Sequence, residues 1–386
     1  MQKQHTAICK ELIDKLNMES LLTKDEYLFL IQNRDDVREY LYEKADKKAR
    51  EIYGEDIYIR GLIEFTNYCK NDCLYCGIRR SNKEASRYRL SKEDILSCAD
   101  MGYKLGFRTF VLQGGEDAFY TDRVLSQIVS EIKEKYPDTA ITLSVGERSK
   151  KSYKTLKEAG ADRYLLRHET ACKSHYEKLH PKDQSYENRI RCLNDLKALG
   201  YQVGCGFMVG SPYQTEENLA EELIFLKKMN PQMVGIGPFI PHKDTPFKEE
   251  KAGSVELTLF MLGLIRLTLP NVLLPATTAL GTLDPMGREK GIKAGANVIM
   301  PNLSPVSVRK KYMLYDGKIC TGEEAAECVE CLKTRINKTG YQIVVSKGDY
   351  KEEEKCTIQN LWLQKSLLMI MKSKKLLNMQ MKTKTT

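Results

Sequence analysis

From residue 57 onward, short apolar runs rich in β-branched residues alternate with amphipathic stretches of helical length. The runs at 57–65, 108–114, 140–145, 163–168, 202–209, 233–239, 271–277 and 296–301 read as strands. Short continuous apolar runs between turn residues suit parallel strands buried on both faces. The stretches between them carry apolar residues every three to four positions, and several end in Gly just before the next strand, as helices in αβ units do. Ser91, followed by Glu93 and Asp94, predicts a capped helix start. Eight such units across 57–301 predict an α/β fold, a (β/α)8 TIM-type barrel. Strand count alone leaves a doubly wound open sheet as the alternative.

The flanks break this rhythm. Residues 1–54 read as an N-terminal helical extension and 55–301 as the barrel. Residues 302–350 read as a C-terminal extension with irregular chain, a helix and a short strand. The stretch 351–386 reads as a basic, poorly ordered or weakly helical tail, since 360–386 holds six lysines and no acid.

Composition narrows the function classes. At 42% hydrophobic and 29% charged the chain is ordinary globular protein. No apolar run is long enough to span a bilayer, and the N-terminus MQKQHTAICKELIDKL has no signal-peptide core, so a cytoplasmic protein is expected. The net charge of +9 comes with lysines clustered near the C-terminus and no aromatic-interleaved basic stretch elsewhere. Neither nucleic acid nor membrane is expected as a partner, whereas small anionic substrates suit the balance.

Twelve cysteines without an export signal argue for reduced thiols used as ligands. Six form two compact trios, Cys69/Cys73/Cys76 and Cys320/Cys328/Cys331. The first, C-x3-C-x2-C, follows directly on the first strand, where barrels carry their chemistry. Thiolates at this density hold zinc or an iron–sulfur cluster. Structural zinc wants four ligands, and the segment has three. A cubane with three cysteines leaves one iron open for a non-protein ligand. The second trio, read from its residues, suits a [4Fe–4S] or [2Fe–2S] cluster or zinc.

The first trio, with Tyr75 before its last cysteine, resembles the signature of radical S-adenosylmethionine (SAM) enzymes. That resemblance implies a [4Fe–4S] cluster on Cys69, Cys73 and Cys76, with SAM chelating the open iron and yielding a 5′-deoxyadenosyl radical. Gly114-Gly115-Glu116 resembles the "GGE" stretch whose carbonyls meet the SAM amino group; glycine suits a close backbone approach. Glu169 and Arg189 are a carboxylate and a guanidinium suited to the ammonium and carboxylate of one amino acid. Gln113, Thr142, Ser144 and Met208 match positions near SAM. Thr142 and Ser144 alternate with Ile141 and Leu143, so they share one strand face. His168 is expected as a hydrogen-bonded strand residue, since radical abstraction needs no base.

Longer stretches, CLYCGIRR, VLQGGED, DRYLLRHETA, MVGIGPFIPHKDTP, LPATTALGT and GANVIMPNLSP, resemble the HydE subfamily of [FeFe]-hydrogenase maturases. That resemblance implies an anionic, cysteine-bearing iron–cyanide–carbonyl substrate and a cavity lined by Arg60, Arg167, Met233, Thr277, Thr278 and Tyr312. It implies an auxiliary cluster on the second trio, contact with other maturases, and a reductant such as ferredoxin or flavodoxin. Biotin synthase-like sulfur transfer and methylornithine synthase-like mutation are the enzyme alternatives. A non-catalytic iron–sulfur or zinc protein is the alternative of another class.

Overall fold

The computed structural model describes residues 2–322 and 329–352. Its strands are β1 (Asp56–Ile59), β2 (Gly61–Thr66), β3 (Thr109–Gly114), β4 (Ala140–Ser144), β5 (Arg163–Leu165), β6 (Gln202–Cys205), β7 (Met208–Val209), β8 (Met233–Val234), β9 (Gly237–Pro238), β10 (Val298–Ile299) and β11 (Gln342–Val344). A parallel six-stranded sheet runs β2-β3-β4-β5-β6-β8. Parallel bridges at Met233–Leu273, Pro275–Val298 and Leu62–Asn302 carry the ladder on from β8 and back to β2. The circuit closes as an α/β barrel, and the open-sheet alternative falls.

Several expected strands are shorter or divided. The run at 57–65 splits at Arg60: β1 pairs with β10 and β11, while β2 pairs with β3. The run at 271–277 survives only as bridges at Leu273 and Pro275, because proline has no N–H to give the ladder. The runs at 202–209 and 233–239 each divide in two, with β7 and β9 pairing apart from the main sheet. The expected helix start is present: Ser91 and Asp94 form a capping box.

Helices Gln2–Glu19, Lys24–Gln32 and Arg38–Tyr53 pack on the outer helices Glu216–Met229 and Val255–Thr268. This explains why Val255–Thr268 is apolar almost throughout: the barrel covers one side and the N-terminal helices the other, so Thr258 to Thr268 are all buried. Gly263 lets Leu41 approach, since a Cβ there would lie 2.9 Å from Leu41 Cγ. Full burial of a leucine such as Leu41 is worth roughly 1.5–3 kcal/mol. One apolar core therefore runs from Cys9 to Tyr312. Among the described residues no helix is long and apolar enough to cross a membrane.

The C-terminal segment closes the N-terminal end of the barrel. After β11 pairs with β1, residues 347–349 meet the buried Arg163 of β5. Arg163 donates to Lys347 O at 2.9 Å and to Asp349 Oδ1 at 2.7 Å. Gly348 takes φ +57° against the Tyr58 ring, where a Cβ would sit 2.5 Å from Cγ. The tail expected at 351–386 lies, from 353 on, outside the described residues.

Candidate active site

The first cysteine loop starts where β2 ends, at the opposite end of the barrel. Its backbone is tied down: Lys70 N–H donates to Glu116 O at 2.9 Å and Gly77 N–H to Leu314 O at 2.8 Å. Gly115 permits this packing, since a Cβ there would lie 2.1 Å from Tyr68 O and 2.8 Å from Cys69 Cβ. The Glu116 N–H donates to Cys69 Sγ at 3.4 Å. Its carboxylate accepts the Glu147 N–H at 2.9 Å and pairs with Lys70 at 3.1 Å. That side chain is committed to joining the loops.

A cavity of about 340 Å³ opens beside the loop. Cys69, Tyr75 and Cys76 line it, with Gln113, Gly114, Gly115 and Glu116 from β3 and its end. Ser144, Arg167, Glu169, Arg189, Met208, Thr277, Thr278 and Tyr312 complete the expected set around it. Cys73 is not in the lining; its thiol donates to Gln184 Oε1 at 3.2 Å. A second chamber of about 130 Å³ lies deeper, lined by Arg60, Thr142 and Met233. It shares Gln113, Arg167 and Thr277 with the upper cavity. Thr142, expected beside SAM with Ser144, thus lines the deeper chamber, whereas Ser144 lines the upper one.

Burial raises the Cys69 thiol pKa, lifts that of Cys73 to about 12, and raises that of Cys76 too. Among the described residues no three His, Cys, Asp or Glu side chains converge on one metal ion. A single zinc would need such convergence, with thiolates at about 2.3 Å. A cubane takes each cysteine on a different iron. Three thiols on one loop, two of them in the cavity wall, fit a [4Fe–4S] cluster with one iron facing a non-protein ligand.

Of the polar side chains across the cavity, Arg189 is held firmly. Arg189, on helix Tyr186–Ala198, donates through Nε to Glu147 Oε1 at 2.5 Å and through Nη1 to Arg167 O at 2.6 Å. Glu169 has φ +68°, a left-handed conformation that costs a side-chain-bearing residue about 1–2 kcal/mol. Its Oε2 lies 3.3 Å from Arg167 Nη2, but neither atom makes a hydrogen bond. His168 is buried and hydrogen-bonded to Glu222 as expected, but it lies beyond the end of β5, which stops at Leu165 rather than reaching 168.

The deeper chamber is polar but unmatched. Arg60 is 5% exposed, and among the described residues its guanidinium bonds only to the Met233 sulfur, at 3.0 Å, leaving Nε and Nη2 without partners. Burial, and then Arg163 nearby, lowers its pKa well below the usual arginine range. The Thr142 and Thr277 hydroxyls also lack partners. Unmade buried hydrogen bonds cost about 1–3 kcal/mol each, more for charged groups. An occupant with acceptor atoms would satisfy these groups.

Sequence reasoning missed Glu64, Tyr315 and Lys318, all in the cavity wall. Glu64 and Lys318 pair across 254 positions, a separation no local pattern reveals. In the second trio, the Cys320 sulfur accepts from Arg288 Nη2 at 2.8 Å. Cys328 lies outside the described residues, and Cys331 takes part in a disulfide that must be reduced before the thiol can act as a ligand.

The sequence profile of the Radical SAM superfamily matches residues 63–226. The "[FeFe] hydrogenase maturase subunit HydE" of Thermotoga maritima is 47% identical over 331 residues, covering 86% of this chain and 94% of that protein. The chain belongs to the HydE family. It is a radical SAM enzyme, and the family implies a [4Fe–4S] cluster and SAM, which the geometry above fits. A 3-methylornithine synthase of Methanosarcina acetivorans is 30% identical over 307 residues, covering 79% of this chain and 85% of its own. The crystal structure of methylornithine synthase (PylB) superposes with a TM-score of 0.75 at 26% identity, covering 86% of this chain and 97% of that one. The HydE-family barrel is thus shared with enzymes of other chemistry, and the side chains in the cavity must carry the distinction.

Proposed function

We propose that this HydE-family chain acts in [FeFe]-hydrogenase maturation, on an anionic, cysteine-bearing iron–cyanide–carbonyl precursor. The observation that carries this reading is the deeper chamber, where the buried Arg60 guanidinium has only a thioether partner. A cyanide- and carboxylate-bearing anion supplies the acceptors that Arg60, Arg167, Thr142 and Thr277 lack.

Cys69, Cys73 and Cys76 would hold the cluster, which with SAM supplies a 5′-deoxyadenosyl radical. The chain's own residues do the positioning. Glu169 takes the SAM ammonium, and Arg189, braced by Glu147, offers its remaining N–H groups to the carboxylate. Gly114 and Gly115 let the backbone reach the amino group, and Tyr75 walls the site beside the loop. Tyr312, Thr278 and Met208 line the cavity and limit the space around the reacting groups. Cys320, Cys328 and Cys331 are proposed to carry an auxiliary cluster with no part in this step. Residues 1–54, 55–301 and 302–350 are proposed as helical cover, barrel and C-terminal closure.

The test is complementation. In an anaerobic host lacking its own maturase of this type, the wild-type chain should restore [FeFe]-hydrogenase activity and the Cys69→Ala variant should not. Failure to restore, with dethiobiotin or lysine instead stimulating 5′-deoxyadenosine formation, would move the reading to a biotin synthase-like or methylornithine synthase-like enzyme.

A further inference from the structure

Behind the cavity wall, a fully buried pair brackets Glu169. The His168 ring accepts the Gly206 N–H at Nδ1, 3.1 Å away. This assigns the ring proton to Nε2, which faces Glu222 Oε2 at 2.7 Å. The other Glu222 oxygen accepts the Ala171 N–H, also at 2.7 Å. Glu169 itself donates its N–H to Gly206 O at 3.0 Å. Two residues flanking Glu169 are therefore fastened to one carboxylate, on helix Glu216–Met229. Gly206 is bonded to both Glu169 and His168. Both side chains of the pair are 0% exposed, and neither residue lines the cavity.

A left-handed residue with a side chain persists only where its surroundings over-determine it. Here the determinants are visible. Without Glu222, the Ala171 N–H and the His168 Nε2–H lose their acceptor inside the protein. Without His168, the Gly206 N–H loses its own. Either loss frees the 168–171 turn to relax toward ordinary negative φ, which turns the Glu169 carboxylate away from the cavity.

We propose that His168 and Glu222 are positioning residues for SAM, holding the 168–171 turn so that the Glu169 carboxylate meets the SAM ammonium. The proposal rests on the reading above that Glu169 binds SAM. It assigns a function to the helix Glu216–Met229, which otherwise serves as outer packing, and it requires no contact between the pair and SAM.

The experiment is a double-mutant cycle on the anaerobically reconstituted holoenzyme, with SAM affinity measured by calorimetry and iron content by assay. Glu222→Gln keeps the shape, but its single amide oxygen cannot accept from both Ala171 and His168. It should weaken SAM binding about tenfold, the loss expected for a misaligned charged hydrogen bond, with iron content unchanged. Glu169→Gln should weaken binding comparably. In the Glu169→Gln background, Glu222→Gln should add almost nothing, because its effect passes through Glu169. Glu222→Asp, which keeps the charge, should fall between wild type and Glu222→Gln, and it replaces Glu222→Gln in the cycle if that variant does not fold. Additive losses would overturn the proposal and make the pair ordinary scaffold. Unchanged affinity in Glu222→Gln alongside a weakened Glu169→Gln would overturn it while sparing the SAM grip. Unchanged affinity in Glu169→Gln would remove both.

Discussion

Lys318 donates to Glu64 Oε1 at 2.5 Å and to Tyr312 O at 2.9 Å, inside the cavity wall. Glu64 lies on β2, and its other oxygen accepts from Asn302 Nδ2 at 2.8 Å. The pair fastens the stretch 312–318 to the barrel. Both side chains are nearly inaccessible, so Lys318→Met strands a buried carboxylate and should cost about 3–5 kcal/mol. Adding Glu64→Gln removes the stranded charge and should recover most of that loss. Denaturant midpoints of the two variants check this; a double variant no more stable than the single one would show that the cost is packing.

Arg189→Lys keeps a charge but cannot serve Glu147, Arg167 O and a SAM carboxylate together. Loss of the guanidinium fork removes a charged hydrogen bond worth roughly 1.5–3 kcal/mol, so SAM should bind about ten- to a hundredfold more weakly. Titration of SAM into both reconstituted proteins measures it. Equal affinities would remove Arg189 from the site.

Arg60→Met should separate stability from function. The substitution replaces an unpaired buried guanidinium by an apolar chain beside Met233, so the thermal midpoint should hold or rise. SAM binding, one layer above, should be unchanged. Restoration of hydrogenase activity in the complementation assay should be lost. Full restoration would show that the deeper chamber takes no anion.

Asp349 gives a pH prediction. Burial alone would raise its carboxyl, but the hydrogen bond and charge of Arg163 more than offset this and hold it below the ordinary value of 3.8. A depressed carboxyl contributes stability that is complete above the unfolded-state pKa and is lost as pH falls through the folded one. Wild type should therefore exceed Asp349→Asn in thermal midpoint at pH 6, and the two should converge below about pH 4. The gap should be modest, because Asp349 is 48% exposed and Arg163 keeps its backbone acceptors. A gap that persists at acid pH would assign the effect to packing.

The barrel was legible because parallel strands are buried on both faces and read as apolar runs. The division at Arg60 was not, since every residue from Ile57 to Asn67 is buried and the sequence carries no break. Short helices such as Lys173–Leu179 and Thr278–Leu283 also escaped, being too brief for a periodic pattern. In the site, Glu169 and Arg189 were found through the motif resemblance, and the cysteines through their spacing. Glu147, Glu222 and Lys318 were not found, because each acts through a partner distant in the chain, and only folding brings those partners together.

The contacts of Arg163 with Lys347, Gly348 and Asp349 form a floor at the end of the barrel away from the cavity. On the proposed roles of Glu169 and Arg189, SAM would lie over whatever occupies the chamber around Arg60. The deeper molecule would then enter first and SAM second, and the fragments of SAM would depart before the molecule below could leave. Order of addition would thus be set at the far end of the barrel by residues that line neither chamber.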